Sequence, residues 1–344
     1  MRQAFHLTTG LCSVTVRPSR AGRWFMMILS LLTVFGVMGL PSLASAPPQP
    51  RAEQTQLTLA TGGTGGTYYP LGTAMANIMT DYIEGVQAIA VTSEGSVANA
   101  KWIGGKEVEL ALLQNDIAYY AHRGMHAFEQ QPVEAIAGIA TLYPEIVQIV
   151  TLKEYGITSL SDLRSKRVGV GAPGSGTVVH MLSILEAAGL DGTNVDIQYL
   201  DFEECALALK SRTIHAGCIM AGIPTSAVVD VTLVRDITIV EVPGEIYNQL
   251  KDDCPFYIPI SIPAGTYAGV DEDVSAIAVQ AMLVTRADLP EDLIYEVTKA
   301  IFEHTDTLVA AHYRGRDITL ETALNGMSIA LHPGARRYFT EQGL

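Results

Sequence analysis

The chain is poor in cysteine, tryptophan and positive charge, and each shortage closes off a class of function. Its four cysteines, Cys12, Cys205, Cys218 and Cys254, form no CxxC and keep no company of histidines, so they read neither as a metal centre nor as a disulfide framework. Three of them lie beyond residue 46, an odd number that permits at most one pair, and they read as small buried hydrophobic residues. Trp24 and Trp102 are the only tryptophans, too few for a row of sugar-stacking rings around the acidic pairs Glu203-Glu204 and Asp252-Asp253. Lysine and arginine number 22 against 36 acidic residues, a net charge of −14 that repels nucleic acid and anionic lipid. Catalytic signatures are missing as well. No GxSxG surrounds Ser175, and the histidines are scattered without metal-ligand spacing. Beyond residue 46 there is no apolar run long enough to span a membrane.

What is present begins with a leader. Residues 1–46 carry Arg2, Arg17, Arg20 and Arg23 and no acidic residue, then an apolar run from Trp24 to Leu40 and a small-residue end, Pro41 to Ala46. A basic head, apolar middle and small-residue end are the marks of a secretory signal, with cleavage expected after Ala44 and an alternative after Ala46; the other reading is a retained membrane anchor, for which the run falls short of the roughly 20 residues needed to span. The exported part would carry a charge of −18 and no membrane insertion of its own. Pro47 to Gln56 follows as a polar tether.

The remaining length suits two α/β lobes. A strand (57–61) runs into Gly62, Gly63, Gly65 and Gly66 and then a helix, with Thr67 as N-cap, Pro70 in the first turn, and Leu71, Met75, Ile78 and Tyr82 at helical spacing. Bare N–H groups and the positive end of a helix dipole make such a turn an anion site. Thr67 stands where a phosphate loop needs lysine, which argues against a nucleotide triphosphate. Strands over 88–92, 108–113 and 135–141 alternate with helices, Asp116 being the expected N-cap of the helix ending at Arg123; this predicts a doubly wound parallel sheet. Ser93, Gln114, Asn115 and Tyr143 stand just past strand ends, where ligands bind in such sheets. The pattern restarts with a strand (167–170), Gly171 to Thr177, and a helix stopped by Gly189, then strands over 195–200 and 216–220 and a helix over 202–210. Gly169, Gly171 and Gly174 match GxGxxG, and Asp201 ends the following strand, so a dinucleotide-binding enzyme is an alternative reading; secreted hydrolases and structural surface proteins are others. Read instead as a turn, Gly174-Ser175-Gly176-Thr177 offers hydroxyls and helix N–H groups to a carboxylate. His180 reads as a packing or solvent-facing residue, Pro243 to Pro263 as irregular, and 277–285 as a strand crossing back to the first lobe.

The segments TGGTGGTYYPLG (61–72), VTSEGSVANA (91–100), LLQNDIAYYA (112–121), GAPGSGT (171–177), IPAGTY (262–267) and LVTRADLPEDLIYEVTKAIFE (283–303) together resemble the TAXI-type substrate-binding proteins of tripartite ATP-independent periplasmic (TRAP) transporters. The resemblance implies a type II periplasmic-binding-protein fold: two α/β lobes (47–146 with 284–344, and 147–283), two crossing hinge strands and a central cleft. It further implies a periplasmic receptor without catalytic activity or cofactor, delivering a small carboxylate (glutamate, glutamine or a 2-oxoglutarate-like acid) to membrane permease subunits. Carried over by position, it puts Gly66, Thr67, Tyr68, Ser93, Gln114 and Tyr143 on one side of the ligand and Ser175, Gly176, Thr177 and Gly222 on the other. Cys254-Pro255-Phe256 departs from the family pattern, which places an aromatic before the proline. Glu94, Asp116 and Glu145 are the acids available to an amino group on the ligand.

Overall fold

The computed structural model describes residues 54–344; the leader, its cleavage point and most of the tether lie outside those residues. Ten strands form one curled mixed sheet in the order β2-β1-β3-β10-β4-β7-β5-β6, with β8 added on β4 and β9 on β10. At one end, β1 (Thr55–Ala60) pairs in parallel with β2 (Val86–Val91) and β3 (Leu110–Gln114). At the other, β5 (Arg167–Gly169) pairs in parallel with β6 (Asp196–Gln198) and β7 (Ala216–Ala221). Between them run two long antiparallel strands, β4 (Ile136–Leu152) and β10 (Val274–Arg286). The early part of β4 pairs with β10 and bridges Leu331 through Gly138, and its later part pairs with β7 and with β8 (Ile237–Val240). The start of β10 takes β9 (Ile258–Ile262), and its end takes β3. These two strands therefore cross between the halves, as expected, and the α/β two-lobed architecture with a central cleft is the one observed.

The sequence dictates most of this locally. Every residue of β3 is buried, which is why it reads as an uninterrupted apolar run: a strand in a parallel arrangement is covered on both faces. One half is closed by α1 (Tyr68–Tyr82), α2 (Ser96–Gly104) and α3 (Asn115–Arg123), and later by α8 (Glu291–Glu303), α9 (Thr305–Ala311) and α10 (Pro333–Glu341). The other half is closed by α4 (Gly176–Ala187), α5 (Phe202–Lys210), α6 (Ser226–Thr232) and α7 (Gly244–Leu250). Leu71, Met75 and Ile78 of α1 pack with Leu57 and Leu59 of β1, whereas Tyr82 is largely exposed and stacks on His304. Pro259 is tolerated because β9 sits at the sheet's margin, paired on one side with β10.

Several expectations are corrected. The strand expected over 135–141 does not stop before Pro144: β4 continues through it to Leu152, with Pro144 opposite Gln280 at an irregularity of β10. The region from Pro243 to Pro263, expected to be irregular, contains α7, opened by Pro243, and strand β9, with β8 just before it. Asp116 is not the N-cap of α3; Gln114 holds that position, and Asp116 lies buried inside the first turn. The reading of Cys205, Cys218 and Cys254 as small buried residues agrees with the structure, where all three are buried and free.

Candidate functional site

A cavity of about 600 Å³ lies between the two halves, and the first residues of four helices open onto it: Tyr68 of α1, Ser96 of α2, Gly176 of α4 and Phe202 of α5. The amides of a helix's first turn have no acceptor within the helix, so each start brings partial positive charge to the cavity wall. Local sequence builds these starts. Gly171 has φ +111°, and a Cβ there would lie 2.9 Å from Ser175 Oγ, Thr177 Cβ and Val178 N, so the turn before α4 needs glycine on two counts. Asn99, fully buried on α2, donates to the carbonyls of Thr61 and Leu112 at 2.6 Å and so fixes α2 against β1 and β3.

Eight of the ten expected ligand-contacting residues line this cavity: Gly66, Thr67, Tyr68, Ser93, Gln114, Ser175, Gly176 and Thr177. Tyr143 and Gly222 stand outside its lining. Tyr143 is buried against Gly222, where a Cβ would come within 3.1 Å of the ring. Several expected hydroxyls are already committed. Thr67 makes no side-chain cap; its hydroxyl donates to the Gly222 carbonyl at 3.0 Å, joining the two halves. Ser175 is an N-cap, accepting from Val178 N at 3.2 Å and donating to Ala172 O at 2.7 Å. Ser93 donates to Thr61 O and accepts from Gly95 N. These three residues shape the cavity through the backbone they hold.

The glycine-rich turn holds an anion, and the anion is the chain's own. Glu203 Oε1 accepts from Gly65 N at 2.5 Å and from Thr64 Oγ1 at 2.6 Å, across 138 positions of sequence. Asp201 and Glu204 form a capping box on α5: Asp201 Oδ1 accepts from Glu204 N at 2.7 Å, and Glu204 Oε2 accepts from Asp201 N at 3.0 Å. The acid that a dinucleotide fingerprint would aim at a ribose is thus spent on a helix start.

Glu145 is the most constrained lining residue. It sits in the middle of β4 with 3% of its surface exposed. Gln114 Nε2 donates to its Oε2 at 2.9 Å. Burial pushes its carboxyl up to about 8, with nearby Asp116 adding to the rise and the Tyr68 phenol and Gln114 amide working against it. Burial, reinforced by Glu145, raises the Tyr68 and Tyr143 phenols above their ordinary range. Gln114 also touches the opposite half: a Cβ on Gly176 would lie 1.6 Å from Gln114 Oε1. A second link spans the halves nearby. His180 of α4 is buried, its Nδ1 2.5 Å from the Tyr257 hydroxyl and its Nε2 3.3 Å from Asp116 Oδ2 of α3.

With this geometry in view, the family can be placed. A model of the NMT1-like family matches residues 59–343. The chain belongs to the NMT1-like family. Among solved structures, a protein from Bordetella bronchiseptica RB50 shares the fold of this NMT1-like chain at 15% identity, covering 86% of this chain and all of that one, with a TM-score of 0.53. The periplasmic aliphatic sulphonate binding protein SsuA from Escherichia coli matches at 12% identity over 83% of each chain, with a TM-score of 0.45. A binding protein component of an ABC phosphonate transporter from Pseudomonas aeruginosa matches at 12% identity, covering 77% of this chain and 80% of that one, with a TM-score of 0.49.

Sequence reasoning missed Glu203, Thr64 and Trp102 among the lining residues, and left Glu145 as one of three undistinguished acids. A signal for Glu145 existed: it is the one charged residue in the run Ile136 to Leu152. None existed for Glu203, whose partners are set by the fold.

Proposed function

We propose that this NMT1-like protein is an exported solute receptor that holds a small carboxylate between its two halves and passes it to a membrane permease of the TRAP type. The halves correspond to 47–146 with 284–344 and to 147–283, and they close by bending at β4 and β10. The observation that carries the reading is the convergence of the starts of α1, α2 and α4 on one cavity between the halves. These three helix starts, with their amides and dipoles, supply the positive potential that a carboxylate needs, without a cationic side chain. Gly176 and Thr177 receive the carboxylate at the start of α4, and Tyr68 and Trp102 supply the apolar wall. Each charge-assisted hydrogen bond contributes about 1.5–3 kcal/mol, so two or three supply about 3–9 kcal/mol toward the roughly 8 kcal/mol of micromolar binding, and apolar burial of the ligand offsets the cost of closure. No helix among the described residues is long and apolar enough to cross a membrane. The test is a thermal-shift screen of the purified exported chain against amino acids, keto acids and dicarboxylates. A concentration-dependent rise in melting temperature with at least one carboxylate is expected; no shift with any of them removes the reading.

A further inference from the structure

The cavity wall holds carboxylates and no opposing cation. Glu94, Glu145, Asp201, Glu203 and Glu204 line it, and among the described residues no lysine, arginine or histidine does. The rim acids are held in place or exposed: Glu203 holds Gly65 and Thr64 through Oε1, leaving Oε2 without a partner, Asp201 and Glu204 hold each other's backbone, and Glu94 is exposed. Glu145 differs in being buried at the back of the cavity. Beside it, Gln114 is 1% exposed, and its amide oxygen is buried without a hydrogen-bond partner while its nitrogen is spent on Glu145. An acceptor left bare in a buried place is costly unless something donates to it. A carboxylate and an amide oxygen side by side are both acceptors, the complement of a group with several N–H donors and a positive charge.

The geometry points to a protonated amine as the second recognised group: we infer that Glu145 and Gln114 bind the ammonium of a zwitterionic or cationic amino compound, and that the site discriminates against amine-free acids. The inference rests on the receptor reading above and sharpens it from carboxylates in general to amino-bearing ones. The two features lie next to each other, since Gln114 abuts Gly176 at the start of α4. A ligand with its carboxylate at that helix start would bring a neighbouring amine to the Gln114–Glu145 pair. A keto acid or a plain dicarboxylate can accept one hydrogen bond from the protonated Glu145 carboxyl, but it brings no donor to the orphaned Gln114 oxygen and no positive charge to the site, and the second charge of a dicarboxylate would add to the acidic side chains of the wall.

Proton release gives this a wild-type readout. The groups facing Glu145 are Tyr68 of α1, Gln114 of β3, Asp116 of α3 and Tyr143 on its own strand, with Arg314 beyond Tyr143 committed to Asp317 and the Ile223 carbonyl. None of these supplies a cation within hydrogen-bond reach of Glu145, so before binding its carboxyl keeps its proton at neutral pH, burial holding its pKa near 8. An arriving ammonium favours the carboxylate, and the proton leaves to solvent.

The experiment is calorimetry on the purified exported chain with three matched pairs: L-glutamate and 2-oxoglutarate, L-alanine and pyruvate, L-leucine and 4-methyl-2-oxopentanoate. Each titration is run at pH 7 in two buffers of different ionisation enthalpy. The expected result is tighter binding of the amino member of any pair that binds, with release approaching one proton. Glu145→Gln should weaken the amino member by about 30-fold or more, the cost of removing one partner of a buried charge pair, and erase the preference within the pair. Equal or tighter binding of the keto member, or amine binding without proton release, overturns the inference while leaving the receptor reading standing. If no member binds a protein that still melts cooperatively, the receptor reading itself falls and takes the inference with it. The proton count is read on the wild type, so it decides the matter even where the variant does not fold.

Discussion

Replacing Gly176 with alanine tests the contact between the two halves at its tightest point. The new Cβ would sit 1.6 Å from Gln114 Oε1 and 2.6 Å from Gln114 Cδ. Neither distance is tolerable, and Gln114 has little room: it is buried and tied to Glu145 at 2.9 Å. Either Gln114 swings away and loses that bond, or the halves stay apart. A hydrogen bond to a charged group contributes about 1.5–3 kcal/mol, and 1.4 kcal/mol is tenfold in an equilibrium, so the closed, ligand-holding form should lose about 10- to 150-fold. Helix propensity acts the other way, since alanine in place of glycine favours a helix by up to about 1 kcal/mol, so the unliganded protein should melt close to the parent. Isothermal calorimetry with the strongest ligand from the carboxylate screen, beside a thermal melt without ligand, reads both quantities. The reasoning is refuted if Gly176→Ala binds as tightly as the parent, or if its unliganded melting temperature collapses while affinity per folded molecule is unchanged.

Two further outcomes follow from the packing. Glu145 holds its proton up to about pH 8 in the fold but would lose it near 4.5 in the unfolded chain. The fold is therefore penalised progressively as pH rises from about 4.5 to 8, at up to about 1.4 kcal/mol per pH unit, and constantly thereafter. Urea unfolding from pH 5 to 8 should show Glu145→Gln gaining on the parent across that window; a gap independent of pH contradicts it. Gly334 lets α10 lie against α8, where a Cβ would come 2.2 Å from the Glu291 carbonyl oxygen and 2.5 Å from Tyr295 N. Backbone cannot move aside as a side chain can, so Gly334→Ala should cost about 1–3 kcal/mol or more by urea unfolding, and a change below about 0.5 kcal/mol would contradict this packing.

The parts of the fold legible in the sequence are those where local signals agree. The run from β1 through the glycine turn into α1, and its counterpart from β5 into α4, combine a buried apolar strand, glycines and a helix start, and both halves are built on them. The helix over 202–210 carries a capping box, and its bounds match the expectation. Where signals conflict, the local rule lost. The strand read over 135–141 stops short of Pro144, but pairing to β10 on one side and to β7 and β8 farther along carries β4 through it to Leu152. Asp116 reads as a cap because its residue type favours caps, yet its carboxylate turns inward toward His180. The site was half legible. Strand ends and helix starts located the backbone that lines the cavity, but the destinations of the hydroxyls of Thr67, Ser93 and Ser175 depend on acceptors that only the folded chain supplies. The glycine turn read as a site for a ligand anion, and Glu203 arrives there from the other half.

The central claim is that one ligand is gripped by both halves, and amide hydrogen exchange with the strongest ligand from the screen tests it most directly. The account predicts slowed exchange at the start of α1 (66–68), at Gln114 and at the start of α4 (175–178) together, with little change at the α8–α10 contact far from the cavity. Protection confined to one half, or lying away from the cavity, would contradict it.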